Sequence, residues 1–169
     1  MHQSRSGPHS PECHTLRSPA AADPGRAVKL TPLTEKGYPE AIAAQRGKVV
    51  LVSFWATWCK PCTREFLALV ALAERYGRRG LRIVTVSMDE ASNRPAILRF
   101  LREHNARFAN YLRLGSDFEA FVNAVDPDWI GALPATFVYD RDGRRIRSEV
   151  GELKAATLEK MVRAALGAT

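Results

Sequence analysis

Two cysteines two residues apart, in Trp58-Cys59-Lys60-Pro61-Cys62, separate the apolar run Val49-Val50-Leu51-Val52-Ser53-Phe54-Trp55 from a helical pattern that starts at Thr63. At a junction from strand to helix, such a pair can close a small disulfide at the helix start and exchange electrons with other thiols. The first helical turn offers unpaired backbone N–H groups and the positive end of the helix dipole, and both stabilise a thiolate. Cys59, the more N-terminal sulfur, is expected to ionise more readily than an ordinary cysteine, whose pKa is about 8.5. Lys60 adds a positive charge beside it. Pro61 suits the first helical position, where a missing N–H costs nothing. Cys59 is therefore assigned as the attacking thiolate and Cys62 as the resolving thiol, with Lys60 and Pro61 modulating the pair.

Two other uses of the spacing stay open. A zinc site needs two further ligands, and the remaining candidates are Cys13, His2, His9, His14 and His104. All of these but His104 fall in the N-terminal stretch. A disulfide with a purely structural role is the other alternative. No metal or other cofactor is expected.

The length of 169 residues suits one domain with a substantial core. No stretch approaches the roughly 20 apolar residues that a membrane-spanning helix needs. The net charge of +7 comes with arginine clusters at Arg78, Arg79 and Arg82 and at Arg141, Arg144, Arg145 and Arg147. No aromatic residues interleave with them to stack bases, so nucleic acid is not an expected partner. Residues Met1 to Ala27 are rich in Ser, Pro, His, Arg and Gly, with Leu16 their one large aliphatic residue after Met1. Such a segment cannot bury enough surface to offset its ordering entropy, so a disordered tail over 1–27 and a domain over 28–169 are expected. The tail has no apolar core of the kind a secretory signal carries. Either the protein is cytoplasmic or its true start lies upstream.

Along the domain, Val28 to Thr31 reads as a short strand and Tyr38 to Gln45 as a short helix closed by Gly47. The continuous apolar run Val49 to Trp55 is the kind of strand that helices cover on both faces. A long helix follows to Tyr76, ending at Gly77, and Leu81 to Ser87 makes the next strand, parallel to the first by a right-handed crossover. Pro95 to Glu103 reads as a helix, Phe108 to Leu112 as an extended piece, and Asp117 to Val125 as a helix capped by Ser116 or Asp117. Ala135 to Tyr139 and Arg144 to Val150 form a hairpin around Asp140-Arg141-Asp142-Gly143, the second strand at a sheet edge. A final amphipathic helix covers Lys154 to Leu166.

Phe54-Trp55-Ala56-Thr57-Trp58-Cys59-Lys60-Pro61-Cys62 resembles the active-site signature of the TlpA/ResA-like branch of the thioredoxin fold. Gly131-Ala132-Leu133-Pro134-Ala135-Thr136-Phe137-Val138-Tyr139-Asp140 resembles the cis-proline motif of the same branch. The resemblance, over about Val28 to Leu166, implies an α/β thioredoxin-like fold with a central mixed sheet flanked by helices. The segment from Asp89 to Ile130 would be the αβ insertion that this branch shares with peroxiredoxins. It implies that Pro134 is the cis-proline beside a Cys59–Cys62 disulfide, and that Leu133, Pro134 and an exposed Trp58 bind substrate. Ser53 holds the place of the buried aspartate of thioredoxin, which leaves the resolving cysteine without that proton acceptor. The resemblance assigns proton transfer to Glu90, with Asp89 as runner-up.

The implied activity is thiol–disulfide exchange, usually reduction outside the cytoplasm, on partners such as apocytochrome c or copper-site assembly proteins. The implied partners are protein dithiols and disulfides and an upstream electron donor, the chain being monomeric. A thiol peroxidase of peroxiredoxin type is the alternative, but it calls for a Pro-x-x-x-Thr/Ser-x-x-Cys pattern, and Pro61 follows Cys59. A copper-binding protein like the Sco group calls for C-x-x-x-C and a distant histidine, for which only His104 is at hand.

Overall fold

The computed structural model describes residues 27–115 and 117–167. The expected tail as far as Arg26, Cys13 within it, and the candidate cap Ser116 lie outside the described residues. The elements are β1 (Thr31–Leu33), α1 (Gly37–Ala43), β2 (Val49–Trp55), α2 (Lys60–Tyr76), β3 (Leu81–Ser87), α3 (Arg94–Glu103), β4 (Ala109–Arg113), α4 (Phe118–Val125), β5 (Ala135–Tyr139), β6 (Arg145–Val150) and α5 (Ala155–Gly167).

The apolar run of β2 lies inside the sheet, whose strand order is β1-β4-β3-β2-β5-β6. All seven of its residues are buried. Because strand side chains alternate between faces, Val49, Leu51 and Trp55 join a core with α2, α3 and α5 residues such as Phe66, Leu69, Ile97 and Leu158. Val50, Val52 and Phe54 join the opposite core with Tyr38, Phe121 and Phe137. Each large side chain buried in this way contributes about 1.5–3 kcal/mol, so a strand apolar on both faces is held from both sides.

The crossover through α2 brings β3 parallel to β2, in a register running from Val49↔Leu81 to Trp55↔Ser87. β4 pairs parallel with β3 and β1 parallel with β4. β5 runs antiparallel to β2, and the exposed edge strand β6 antiparallel to β5. The α3–β4–α4 segment occupies the stretch expected as the insertion, and β4 separates β1 from β3.

The start of the first strand differs from the expectation. The first strand begins at Thr31, since pairing with Tyr111 on β4 sets it, and Leu30 and Val28 pack on the core instead. The first long helix ends at Tyr76 with Gly77 as its C-cap, as expected; Gly77 is right-handed, a 3-10 turn over Gly77–Arg79 follows, and the chain reverses at Gly80 with φ +99°. Gly80 then offers its carbonyl to the Val49 N–H, so the later glycine is the one whose left-handed backbone delivers the chain to β3.

Candidate active site

The chain leaves β2 at Trp55 and turns through Ala56–Trp58, where the Cys59 N–H donates to the Ala56 carbonyl at 3.1 Å. Cys59 is the N-cap of α2: its backbone is extended, φ −88° and ψ 98°, and Pro61 stands in the first turn. The Cys62 N–H points at Cys59 Sγ, 3.3 Å away. An orphan helix donor thus faces the sulfur that has to carry negative charge. The two cysteines are joined as a disulfide, with Cys59 6% and Cys62 3% exposed. Trp58 beside them is 68% exposed, whereas Trp55 is buried against Phe66 and Phe100, with ring centroids 5.0 and 4.9 Å apart.

The second wall is the segment ahead of β5. The pair Phe54↔Ala135 sets Pro134 one residue beyond, at the end of β2 from which the cysteine turn departs. The Leu133–Pro134 peptide bond is cis, and Leu133 packs on the core that includes both cysteines. The loop is held by Trp129, whose indole N–H donates to the Ala132 carbonyl at 3.0 Å and whose ring lies 4.7 Å from Phe54. Gly131, at φ +81°, lies so close to α4 that a Cβ there would meet Phe118 at 2.5 Å. The Pro134 carbonyl accepts from Gly151 N–H at 2.8 Å, which brings the start of the β6–α5 connection to the site.

Two buried carboxylates flank this arrangement. Asp89, just past the end of β3, is 1% exposed. Its Oδ2 accepts from Thr57 N–H at 2.9 Å and Ser87 Oγ at 2.7 Å, and its Oδ1 from Thr57 Oγ1 at 2.6 Å and Asn93 Nδ2 at 2.7 Å. Glu65, one turn beyond Cys62 on α2, is 4% exposed. Its Oε2 accepts from Leu153 N–H at 2.8 Å and its Oε1 from Thr136 Oγ1 at 3.4 Å. Burial pushes its carboxyl above the ordinary glutamate range, against the smaller opposing pull of those two donors. Residues three apart share a helix face, so Glu65 lies on the buried side of α2 that Cys62 occupies.

Glu90, the expected proton acceptor, stands away from this face: its side chain is 83% exposed and lies 3.4 Å from Arg113. The chain turns Asp89 inward to Thr57, which points the next residue outward. Residue Glu65 was missed by sequence reasoning, although a signal existed. It falls within the apolar stripe Cys62, Phe66, Leu69, Leu72 and Tyr76, where a lone acid is out of place. His104 caps α3, with Nδ1 2.8 Å from the Phe100 carbonyl and its ring stacked on Phe100. Among the described residues, no group of three or more His, Cys, Asp and Glu side chains could hold a metal ion, and no helix is long and apolar enough to cross a membrane.

A disulfide at a helix N-terminus, with a cis-proline at the same end of a mixed sheet, defines a thioredoxin-like protein. Within that class the chain belongs to the AhpC/TSA family, whose model matches residues 22–147. It is 29% identical over 114 residues to the thiol-disulfide oxidoreductase ResA of Bacillus cereus, a match that takes in 68% of this chain and 61% of that protein. The chain thus spans about three fifths of that relative's length. It is 31% identical over 144 residues to the thiol:disulfide interchange protein HelX of Rhodobacter capsulatus, covering 85% of this chain and 75% of that one. Among solved structures, a thioredoxin-family thiol:disulfide interchange protein from Chlorobium tepidum superposes with a TM-score of 0.63 at 25% identity, over 74% of this chain and 84% of that one.

Proposed function

We propose that this chain is a thiol–disulfide oxidoreductase that reduces disulfides in partner proteins outside the cytoplasm. The observation that carries the reading is Cys59 as N-cap of α2, joined to Cys62 and facing its N–H. The similarity to ResA and HelX supports it.

In the reducing direction, an electron donor first opens the Cys59–Cys62 bond, delivering two electrons. The Cys59 thiolate attacks one sulfur of a partner disulfide; a mixed disulfide forms, and the partner's other sulfur leaves as a thiolate. Cys62 gives its proton to Glu65 and attacks Cys59 Sγ. The Cys59–Cys62 bond reforms, the second partner sulfur leaves, and the partner is reduced by two electrons. Glu65 suits this step because its burial favours the protonated form, so it holds a proton more readily than an exposed acid. Glu90, exposed on the far side of Asp89, is less suited. Trp58 and the backbone at Leu133 supply the surface on which an extended partner segment docks, and Lys60 adds positive charge beside Cys59. Exposed thiol-dependent partners, including apocytochrome c and copper-site assembly proteins, fall within this substrate class.

The family match also raises a peroxidase reading. Ala56, three residues before Cys59, stands where peroxide chemistry calls for Thr or Ser, so we rank that reading second. The deciding experiment is the midpoint reduction potential of the pair, measured in thiol buffers by Trp fluorescence, together with Cys62→Ser. A potential near or below about −250 mV and accumulation of a Cys59-linked mixed disulfide in the variant are expected. A potential near about −120 mV reverses the direction, and rapid turnover of hydrogen peroxide overturns the assignment in favour of the peroxidase.

A further inference from the structure

The acid that the mechanism leaves unused is the better bonded of the two. Asp89 is buried, with no ion pair to a cation among the described residues; four neutral donors fill the acceptor positions of its two oxygens. Two of the four belong to one residue, Thr57, which lies two positions before Cys59. A third, Asn93, also donates to Thr57 Oγ1 at 2.8 Å. Asp89, Thr57 and Asn93 therefore close a ring of hydrogen bonds that joins the turn before the cysteines to the end of β3 and the start of α3. The neighbouring backbone contact, from Met88 N–H to the Trp55 carbonyl at 2.7 Å, ties the same two strand ends together.

From this geometry we infer that Asp89 is a positioning residue for Cys59, acting through Thr57. The inference rests on the reading of Cys59 as the attacking thiolate. The Cys59 sulfur benefits from the helix start only while its backbone keeps the N-cap conformation that aims Sγ at the Cys62 N–H. Thr57 is the nearest residue upstream whose side chain and amide are both fixed from outside the turn. Releasing it lets the N-cap residue drift, and an N-terminal contact that falls off within one turn is lost with small displacements. A carboxylate suits this task because it only accepts: an amide in its place would turn an NH2 toward at least one of the Thr57, Ser87 and Asn93 donors.

The reading makes a prediction of sign. If Asp89 acted simply as a nearby negative charge, removing it would ease ionisation of Cys59. If it acts by positioning, removing it hinders ionisation. The test is the rate of Cys59 alkylation by iodoacetamide against pH in a Cys13→Ser, Cys62→Ser background, where Cys59 is the single thiol. Asp89→Asn and Thr57→Val are each expected to slow alkylation at pH 7 by about tenfold, moving the ionisation of Cys59 upward by about one pH unit. Thr57→Ser, which keeps both donors, stays within about twofold of the parent. Thr85→Val breaks the buried Thr85–Asn110 hydrogen bond elsewhere on β3 and is expected to destabilise the fold without moving the alkylation profile.

Faster alkylation in Asp89→Asn, an unchanged profile in Thr57→Val, or an equal slowing in Thr85→Val each overturns the inference. If Asp89→Asn does not fold, the Thr57→Val and Thr57→Ser pair decides alone. Turnover of a protein disulfide such as that of insulin is measured separately on the unmodified protein. Failure there sinks the proposed activity, whereas the titration of Cys59 still reports on Asp89.

Discussion

The two buried acids on either side of the cysteine pair are satisfied to different degrees. Asp89 accepts four short hydrogen bonds from the turn before Cys59, β3 and the start of α3. Glu65, below Cys62 on α2, accepts one good bond from Leu153 and one long one from Thr136. A buried carboxylate with every acceptor position filled is part of the framework, and moving it disturbs several elements together. One left short of donors is easier to protonate in place, and its burial works in the same direction. The difference fits the tasks proposed above, Asp89 to hold Cys59 and Glu65 to take the proton of Cys62.

Stability separates them most. Asp89→Ala leaves two donors on Thr57, one on Ser87 and one on Asn93 without their acceptor. At about 1–3 kcal/mol for each unsatisfied buried group, partly relieved by water entering the vacated space, the expected loss is about 3–5 kcal/mol in urea unfolding. Glu65→Ala, which frees one well-bonded N–H and removes a carboxylate that was costly to bury, is expected to lose less than half of that. Equal losses would mean that donor counts do not distinguish the two sites.

Rate is the next contrast. Glu65→Gln keeps the size of the side chain and an oxygen for the Leu153 N–H, but it cannot take a proton. Closure of the Cys59–Cys62 bond from a mixed disulfide is expected to slow by about 10²-fold at pH 7, the lower end of what a positioned acid or base contributes. Stopped-flow mixing of the reduced protein with a disulfide substrate measures it. A rate within threefold of the unmodified protein would return the proton to solvent or to Glu90.

Much of this site could be read along the chain because its main parts are local. The cysteines, Pro61 and the apolar strand before them are consecutive, and helix N-capping is a short-range device. The motif around Pro134 is likewise continuous. The acids were less accessible. Glu65 finds its partners 71 and 88 residues away, so nothing near it in the sequence announces burial except its place in an apolar stripe. Asp89 and Glu90 are adjacent and chemically similar. Which of them turns inward is decided by where β3 ends and by Thr57, 32 residues upstream. The start of β1 was misplaced for the same reason, since its extent depends on its pairing with β4.

The smallest effect tests the raised ionisation of Glu65 directly. Below about pH 4, near the ordinary glutamate value, the carboxyl is protonated in both the folded and the unfolded chain, and its burial carries no charge. As the pH rises, the unfolded chain releases the proton first while the folded protein still holds it. Stability therefore falls with pH through that window, and levels off once the folded carboxyl has also ionised. Glu65→Gln removes this slope. The variant is expected to run parallel to the unmodified protein well below about pH 4 and to gain on it from there until the folded carboxyl has also ionised, as read from urea midpoints of the oxidised forms at a series of pH values. The opposite trend, with the unmodified protein gaining on the variant as pH rises, would mean that Leu153 and Thr136 hold the carboxylate in its charged form. Glu65 would then be an anchor like Asp89, and the division of labour between the two acids would fail.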